Sequence, residues 1–483
     1  MSIGRSLFLL LAVCCLTWLG VLWAWQGRTA DVQEADLVKY LVLLPITLFV
    51  LALAARWAWN GVRSADAASQ ADAAANAAPA ADPPAGNDAE RRRTWRVVQT
   101  GVALPMAEQP QDVLDAARDG EPLPQPDAEL VDTQGLPVLS VRSAQDWHQE
   151  ADSLWQEVPG FVQSAAWRAL DNQGGPSPAW LRALGMAHQA LQPPLQYLLE
   201  WTTEDAEHGA VHERAAQPLR LLLVCEPTWS PAEQEAMREL VLQWTAHALA
   251  PHAERWECLA DVVGGSSEAL WLKADQVLLS AARMGQPMWG LMLGMSSSLD
   301  QTVVDRWSAQ GCLLVQPDQP RGRLPSEAAA ALLLAPEGWA PWPDADDHSV
   351  YLHRPAVARR DKPIEAPGKV DHLVLQAVFD QAMQTADLPA EQVANVICDA
   401  DSHSNRATEL YGVALERMPH LDPVEDMALL AAVTGHLGCA SALVSVAAAA
   451  AWSAKEARPC VVLSQADAHD RMALVIKPGV SAN

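Results

Sequence analysis

Two long apolar runs dominate the first sixty residues, and after them the pattern changes character. Residues 7–25, LFLLLAVCCLTWLGVLWAW, carry no charge over a length close to the roughly 20 residues that cross a hydrocarbon layer. Residues 40–59 form a second such run, with Arg56 near enough to its end to snorkel. A signal peptide is the competing reading of the first run, but no small-x-small cleavage site follows and a second span comes at once. The pattern predicts a transmembrane helical hairpin over residues 1–63, with spans at about 7–25 and 40–59. Residues 64–93, rich in Ala, Asp, Asn and Pro and lacking large apolar side chains, cannot offset their ordering entropy and read as a flexible linker.

From about Thr94 the chain alternates strand and helix patterns. WRVVQTGVAL (95–104) is a strand candidate interrupted by a glycine. LRLLLVCEP (219–227) is a buried strand, and the Ser230-Pro231 start with its acidic first turn opens a helix to about 250. A helix around 267–284 leads into MWGLMLG (288–294), and one around 370–385 leads into VANVICD (393–399). CVVLSQ (460–465) and RMALVIKP (471–478) read as a closing hairpin. In RGRLPSEAAAALLLAPEGW (321–339) a proline and Ser326-Glu327 precede a dry run too short to cross a membrane. That length suits a fully buried central strand of a large sheet. The alternation predicts an α/β fold of layered helices and sheets.

Charge and composition narrow the partners. A formal charge of −26 lacks the cationic footprint that nucleic acid requires. Indole carries nearly all aromatic packing, with 20 Trp against 4 Tyr and 4 Phe. The eight cysteines form no CxxC pair, which favours small buried hydrophobes in a reducing compartment over zinc or disulfides. Arg5, Arg56 and Arg63 flank the apolar runs, whereas the intervening loop sets Arg28 and Lys39 against Asp31, Glu34 and Asp36. Positive-inside counting therefore places both ends of the hairpin in the cytoplasm.

Four segments, in order, resemble β-ketoacyl synthases: WRVVQTGVAL their first strand, GMSSSLD (294–300) their glycine turn, RGRLPSEAAAALLL their Pro-Gly-Glu-led apolar strand, and TGHLGCASALVSVAAAA (434–450) their Gly-His segment running into an Ala-rich helix. The resemblance spans roughly Thr94 to Pro478. It implies a thiolase-like layered fold of two similar βαβαβαββ halves, about 94–354 and 366–480 within a domain of 94–480.

The same resemblance implies a cysteine at a helix N-terminus, where the dipole lowers its pKa, supported by two histidines or a His/Asn pair. The helix expected to carry it, GGSSEALWLKADQVLLSAARMGQP (264–287), has none. In VICDADSHSN (396–405), Asp399 falls where the first histidine would be, and His403 is four residues off register. Gly435-His436 matches the second histidine, and ADAHDR (466–471) replaces the closing glycine-rich turn. On this reading the catalytic set is eroded. His436, Cys398 and Cys439 are read first as ordinary buried residues.

Other constellations are weaker. His208 and His212 are spaced i, i+4, but Gly209 weakens the helix and no third ligand is evident. No Gly-x-Ser-x-Gly elbow occurs, Asp401, Ser402 and His403 are sequential neighbours that cannot form a triad, and no phosphate-cradling Gly-rich motif is present. No cofactor and no metal are expected.

A narrower resemblance is carried by RWSAQGCLLVQPDQPRGRLPSEAAAALLLA (306–335) and NVICDADSHSNRATE (395–409), together with the apolar N-terminus. These are similar to the type VI secretion lipase adaptors. That implies a non-catalytic, membrane-anchored pseudoenzyme that loads an effector lipase onto the secretion spike by protein binding, with no binding residues assigned. Exposed acidic stretches near 204–213 and 344–347 are the candidate surfaces, and a homodimer through a sheet edge is plausible for such folds. The rival expectation is an acyl-thioester transferase or condensing enzyme with displaced catalytic residues, in which His436 and Cys439 would carry the chemistry. A structural subunit of an envelope complex is a third.

Overall fold

The computed structural model describes residues 88–479, apart from 121–122, 146, 148–153, 156, 209–215, 287, 316–321, 337–338, 340–348 and 402. These belong to the second of two units into which the chain divides, Met1–Gly86 and Asn87–Asn483. The expected membrane hairpin, its spans at 7–25 and 40–59, and nearly all of the linker lie outside the described residues. Among the described residues no helix is long and apolar enough to cross a membrane.

The first repeat contains β1 (Thr94–Ala103), β4 (Gln217–Val224), β5 (Trp256–Val263), β6 (Trp289–Ser297) and β7 (Glu327–Ala335). The second contains β9 (Ala356–Arg359), β10 (Asn395–Cys398), β11 (Met427–Leu429), β12 (Cys460–Ser464) and β13 (Asp470–Pro478). Ranked by their place in each repeat, both sets of strands run in the order 3-2-4-5-1 across the sheet. In both, the first four are mutually parallel and the fifth is antiparallel to its two neighbours. Strand β8 (Val350–His353) pairs with both β1 and β13 and joins the two sets into one continuous sheet. A separate hairpin, β2 (Gln125–Val131) with β3 (Pro137–Ser140), lies outside it.

The helices repeat as well. Between strands one and two stand α3 (Pro178–His208) and α7 (Leu373–Ala386). Between strands two and three stand α4 (Pro231–Ala248) and α8 (Ser404–Arg417), and between three and four α5 (Ser267–Arg283) and α9 (Ser441–Glu456). Two further helices, α1 (Asp112–Asp119) and α2 (Ala165–Asp171), follow β1, and α6 (Gln301–Gln310) links β6 to β7. The architecture is a layered α/β thiolase-like fold of two like halves.

The dry run of β7 now has its reason. Ala328, Ala330, Leu332 and Leu334 face a central core with α5 and α9, while Ala329, Ala331, Leu333 and Ala335 face an outer core with α3 and α4. A strand buried on both faces has no polar alternation to display. β12 behaves alike: Cys460 and Val462 face the central core, Val461 and Leu463 the outer core under α7 and α8. Leading β7, Glu327 is fully buried and takes two hydrogen bonds from Arg182 of α3, at 2.6 and 2.7 Å, and one from the Ser143 N–H. Its counterpart at the start of β13, Arg471, is equally buried and donates to Glu409 of α8 at 2.9 Å.

Local signals fix the outer pieces. Ser230 caps α4 in a reciprocal capping box with Glu233. Gly101, the glycine inside β1, lies where α3 presses on the strand: a Cβ there would sit 2.1 Å from the Ala190 carbonyl oxygen. Strands β12 and β13 pair antiparallel as the closing hairpin. Its turn is built without glycine, since the Asp467 carboxylate accepts the N–H groups of His469 and Asp470.

Candidate active site

Residues at or just beyond the C-terminal ends of β4, β6 and β12, namely Glu226, Ser297 and residues 466–468, meet at the junction of the two repeats. There α5 and α9 bring their N-termini together: the Ser267 hydroxyl donates to the Cys439 carbonyl at 2.5 Å and lies 3.4 Å from the Ser441 hydroxyl. A cavity of ≈ 330 Å³ opens at this point. C-terminal strand ends at a change of strand direction are where open α/β sheets place ligands. Its walls come from Glu226 after β4, Ser267 and Glu268 opening α5, Ser297 and Ser298 ending β6, Arg306 and Trp307 of α6, Arg323, His436, Cys439 and residues 466–468.

All the places singled out by the ketosynthase resemblance therefore converge, although their side chains differ. Ser267 occupies the tip of the helix where a thiol is expected. Asp399, in place of the first histidine, is fully buried just behind the cavity wall. His436 lines the cavity, its ring edge-on to Trp307 at 5.1 Å, and burial together with Arg323 and Arg406 depresses its pKa to about 3. A neutral imidazole results, able to donate one hydrogen bond but not to serve as a cationic acid.

A thiol does stand at this cavity, on Cys439. It sits in the short turn Gly438–Ala440 that feeds α9, three residues after His436 and on the cavity wall. Its thiol donates to the Met295 carbonyl at 3.1 Å, and its N–H donates to Glu226 at 3.3 Å. Burial, reinforced by the Glu226 charge, pushes the thiol well above its usual range, so the resting sulfur is protonated. Glu226 itself is raised by burial, against hydrogen bonds from the Ser296 hydroxyl and from Cys439. A Cβ on Gly438 would lie 1.9 Å from the Glu226 carboxylate, and the backbone there has φ +51, so only glycine admits this close approach.

The remaining candidates are brought elsewhere. Cys398 is buried at the end of β10, its thiol raised by burial and receiving a hydrogen bond from Gln465. His403 caps α8, accepting the Asn405 N–H at 3.2 Å. The His208 side chain and His212 lie outside the described residues, as do Ser402 and the acidic stretch at 344–347. Sequence reasoning missed Glu226 and Glu268. Each is a single acidic residue without a motif, and the only signal was position: Glu226 directly follows an apolar strand, and Glu268 opens a helix after Gly-Gly-Ser-Ser.

No family model and no curated protein matches this chain. Among solved structures it is similar to the ketosynthase from module 6 of the bacillaene synthase of Bacillus subtilis 168, at 13% identity and TM-score 0.52, over 81% of this chain and 73% of that one. It is similar to the module 1 ketosynthase of the bacillaene synthase of Bacillus amyloliquefaciens FZB42, at 14% identity and TM-score 0.51, over 82% and 75%. A third is a type II polyketide synthase acyl-carrier protein in complex with its ketosynthase bound to the hexaketide, at 13% and 0.51, over 80% and 99%.

The fold is thus the thiolase-like fold of ketosynthases. These matches overturn the expected placement among type VI secretion lipase adaptors, and with it the effector lipase and spike protein as partners. They also correct the non-catalytic reading: the solved structures that share this fold are ketosynthases.

Proposed function

We propose that this chain is an acyl-thioester transferase or condensing-type enzyme whose nucleophile has been displaced to Cys439. The observation that carries this reading is the position of that thiol: on the wall of the central cavity, at the tip of α9, with its backbone N–H on the Glu226 carboxyl. The condensing enzymes with which the fold is shared, one of them bound to a hexaketide in complex with an acyl-carrier protein, support an acyl chain on a thioester as the substrate class.

In the first half-reaction the ionised Glu226 takes the Sγ proton as the sulfur attacks the thioester carbonyl carbon. The Sγ–C bond forms, the carbon–sulfur bond to the donor breaks, and the proton passes from Glu226 to the departing thiolate. His436, neutral, is placed in the same cavity to hydrogen-bond the carbonyl oxygen as negative charge develops. An acceptor nucleophile then takes the acyl group and the thiol is restored.

Because Cys439 is protonated at rest and Glu226 is raised above the ordinary carboxylate range, acylation requires Glu226 to lose its proton first. The rate should rise with pH through that raised titration. The test is intact-protein mass after incubation with octanoyl-CoA. A single octanoyl addition, faster at pH 8.5 than at pH 6 and absent in Cys439→Ala, supports the reading; an unmodified wild-type chain at both pH values refutes it.

A further inference from the structure

Beside the thiol, the cavity holds a second chemical device that the acyl-transfer steps above do not use. Ser464, the last residue of β12, is fully buried between two carboxyl groups: its Oγ lies 2.5 Å from Asp399 Oδ2 and 2.8 Å from Glu268 Oε1. A hydroxyl carries one proton and can donate once. If both carboxyls were ionised at rest, one contact would set two lone pairs against each other. One of the carboxyls must therefore be protonated.

The surroundings decide which. Burial raises Asp399, but against it Oδ1 accepts the backbone N–H groups of Gln465 and Ala466, at 2.7 and 3.1 Å, and Arg406 adds a favourable charge. That arrangement suits the charged form. Glu268 has Ser266 and its own backbone N–H as further donors but, among the described residues, no cation paired with it, and it is 3% exposed. The proton belongs on Glu268, which donates to Ser464, which donates to Asp399. Glu268 is also the member of the chain that lines the cavity, whereas Asp399 is sealed behind it.

We propose that Glu268 is the proton carrier of this cavity, a carboxylic acid kept neutral by the Ser464–Asp399 relay and able to give its proton to, or take one from, a bound group. Resting on the acyl-transfer reading, this supplies what Cys439 and Glu226 do not: a second acid, opening the helix of the first repeat, that can protonate the enolate or alkoxide of a bound acyl acceptor. The step is balanced by the bound group, since Glu268 becomes a carboxylate as its proton passes to the enolate or alkoxide, Ser464 keeps its proton directed at Asp399, and solvent reprotonates Glu268 through the cavity when the product leaves.

Charged and titratable groups surround Glu268. Asp399 follows β10, Glu226 follows β4, Asp467 is in the β12–β13 turn, and Arg306, Arg323 and His436 line the same cavity, with Arg406 of α8 behind Asp399. Burial is the main influence on Glu268 and Asp399 the next, and both oppose ionisation, to a pKa of about 7.

The test is a carboxyl titration of the full chain labelled with ¹³C at the glutamate side-chain carboxyl, which reads protonation without needing turnover. The expected result is a glutamate resonance that titrates near pH 7, vanishes in Glu268→Gln, and moves to lower pH in Asp399→Asn. Should the resonance assigned by Glu268→Gln titrate below pH 5, or stay where it is in Asp399→Asn while circular dichroism shows that variant folded, the proposal is overturned. A missing acyl adduct on Cys439 would defeat the acyl-transfer reading while leaving this titration as it stands, so the two failures are told apart.

Discussion

Helices α5 and α9 hold the same place in their repeats, between the third and fourth strands, yet they solve different problems. Every side chain of α9 from Ser441 to Ala450 is buried, because this helix lies in the central layer between the two sets of strands, in contact with β7 on one side and β12 on the other. A helix made mostly of small residues, with Leu443, Val444 and Val446 the exceptions in this stretch, lets two sheets close on it at native packing density. α5 has one buried face, with Leu270, Trp271, Ala274 and Leu278 inward and Leu272 and Lys273 outward. What differs at their tips is more telling. The first-repeat tip, where the ketosynthase resemblance places sulfur, carries Ser267 and Glu268; the second-repeat tip carries Cys439 and, just before it, His436. The comparison teaches that the thiol at this cavity stands on the second repeat, where the ketosynthase resemblance expects it on the first.

The comparison can be broken at its framework first. Both fifth strands open with a buried charge, and truncating a partner leaves the other unpaired away from water. Arg182→Ala, which strands Glu327, should cost about 3–5 kcal/mol in a urea titration, and Glu409→Ala, which strands Arg471, a similar amount. A loss under about 1 kcal/mol at either site would show that water reaches the pair.

Next comes the contrast in packing. Ala447→Leu in the enclosed α9 should lower stability by about 1–3 kcal/mol through overpacking. Leu272→Ala on the open face of α5 should change it by no more than about 0.5 kcal/mol. Equal effects would mean that the two helices do not differ in enclosure.

A smaller effect is the pH dependence of stability that Glu268 introduces. Its folded pKa of about 7 lies above the ordinary value of 4.5, so between those values the folded chain holds a proton that the unfolded chain has released. Stability from this group is greatest at low pH, falls as pH rises from about 4.5 to about 7, and is level above. The difference is at most about 3 kcal/mol. Glu268→Gln should flatten that part of the wild-type curve; identical curves for the two proteins across pH 4.5–7 would remove the raised titration. His353, lowered to about 4 by burial and by Lys477, and His436 work in the opposite sense: both are neutral in the fold, and stability is lost as pH falls below about 6.5. They are common to both proteins and cancel from the difference.

Much of the fold was legible because its signals are local. β7 announced itself as a dry run, α4 by Ser230-Pro231 and Glu233, and the β12–β13 hairpin by two apolar segments around a polar turn. α3 was not legible, since Pro193 and Pro194 read as breakers. The helix continues through them because it packs along β1, β6 and β7, a tertiary influence that no window of sequence displays. β9, four residues long, is likewise recognisable only from its pairing with β13.

The site was half legible. Asp399 and His436 were found through their neighbours in sequence, and Cys439 was named for the acyl-transfer alternative. What sequence could not supply was convergence: that Glu226, two hundred residues upstream, meets the Cys439 N–H, or that Ser464 stands between Asp399 and Glu268. Without that geometry the absence of a cysteine from α5 looked like the loss of the nucleophile.

The most direct test of the exchanged-tip account is to locate the acyl group. After incubation with octanoyl-CoA at pH 8.5, proteolysis and tandem mass spectrometry should find the octanoyl mass on Cys439 and none on the peptide that holds Ser267. Modification of Ser267 with Cys439 untouched would contradict the account.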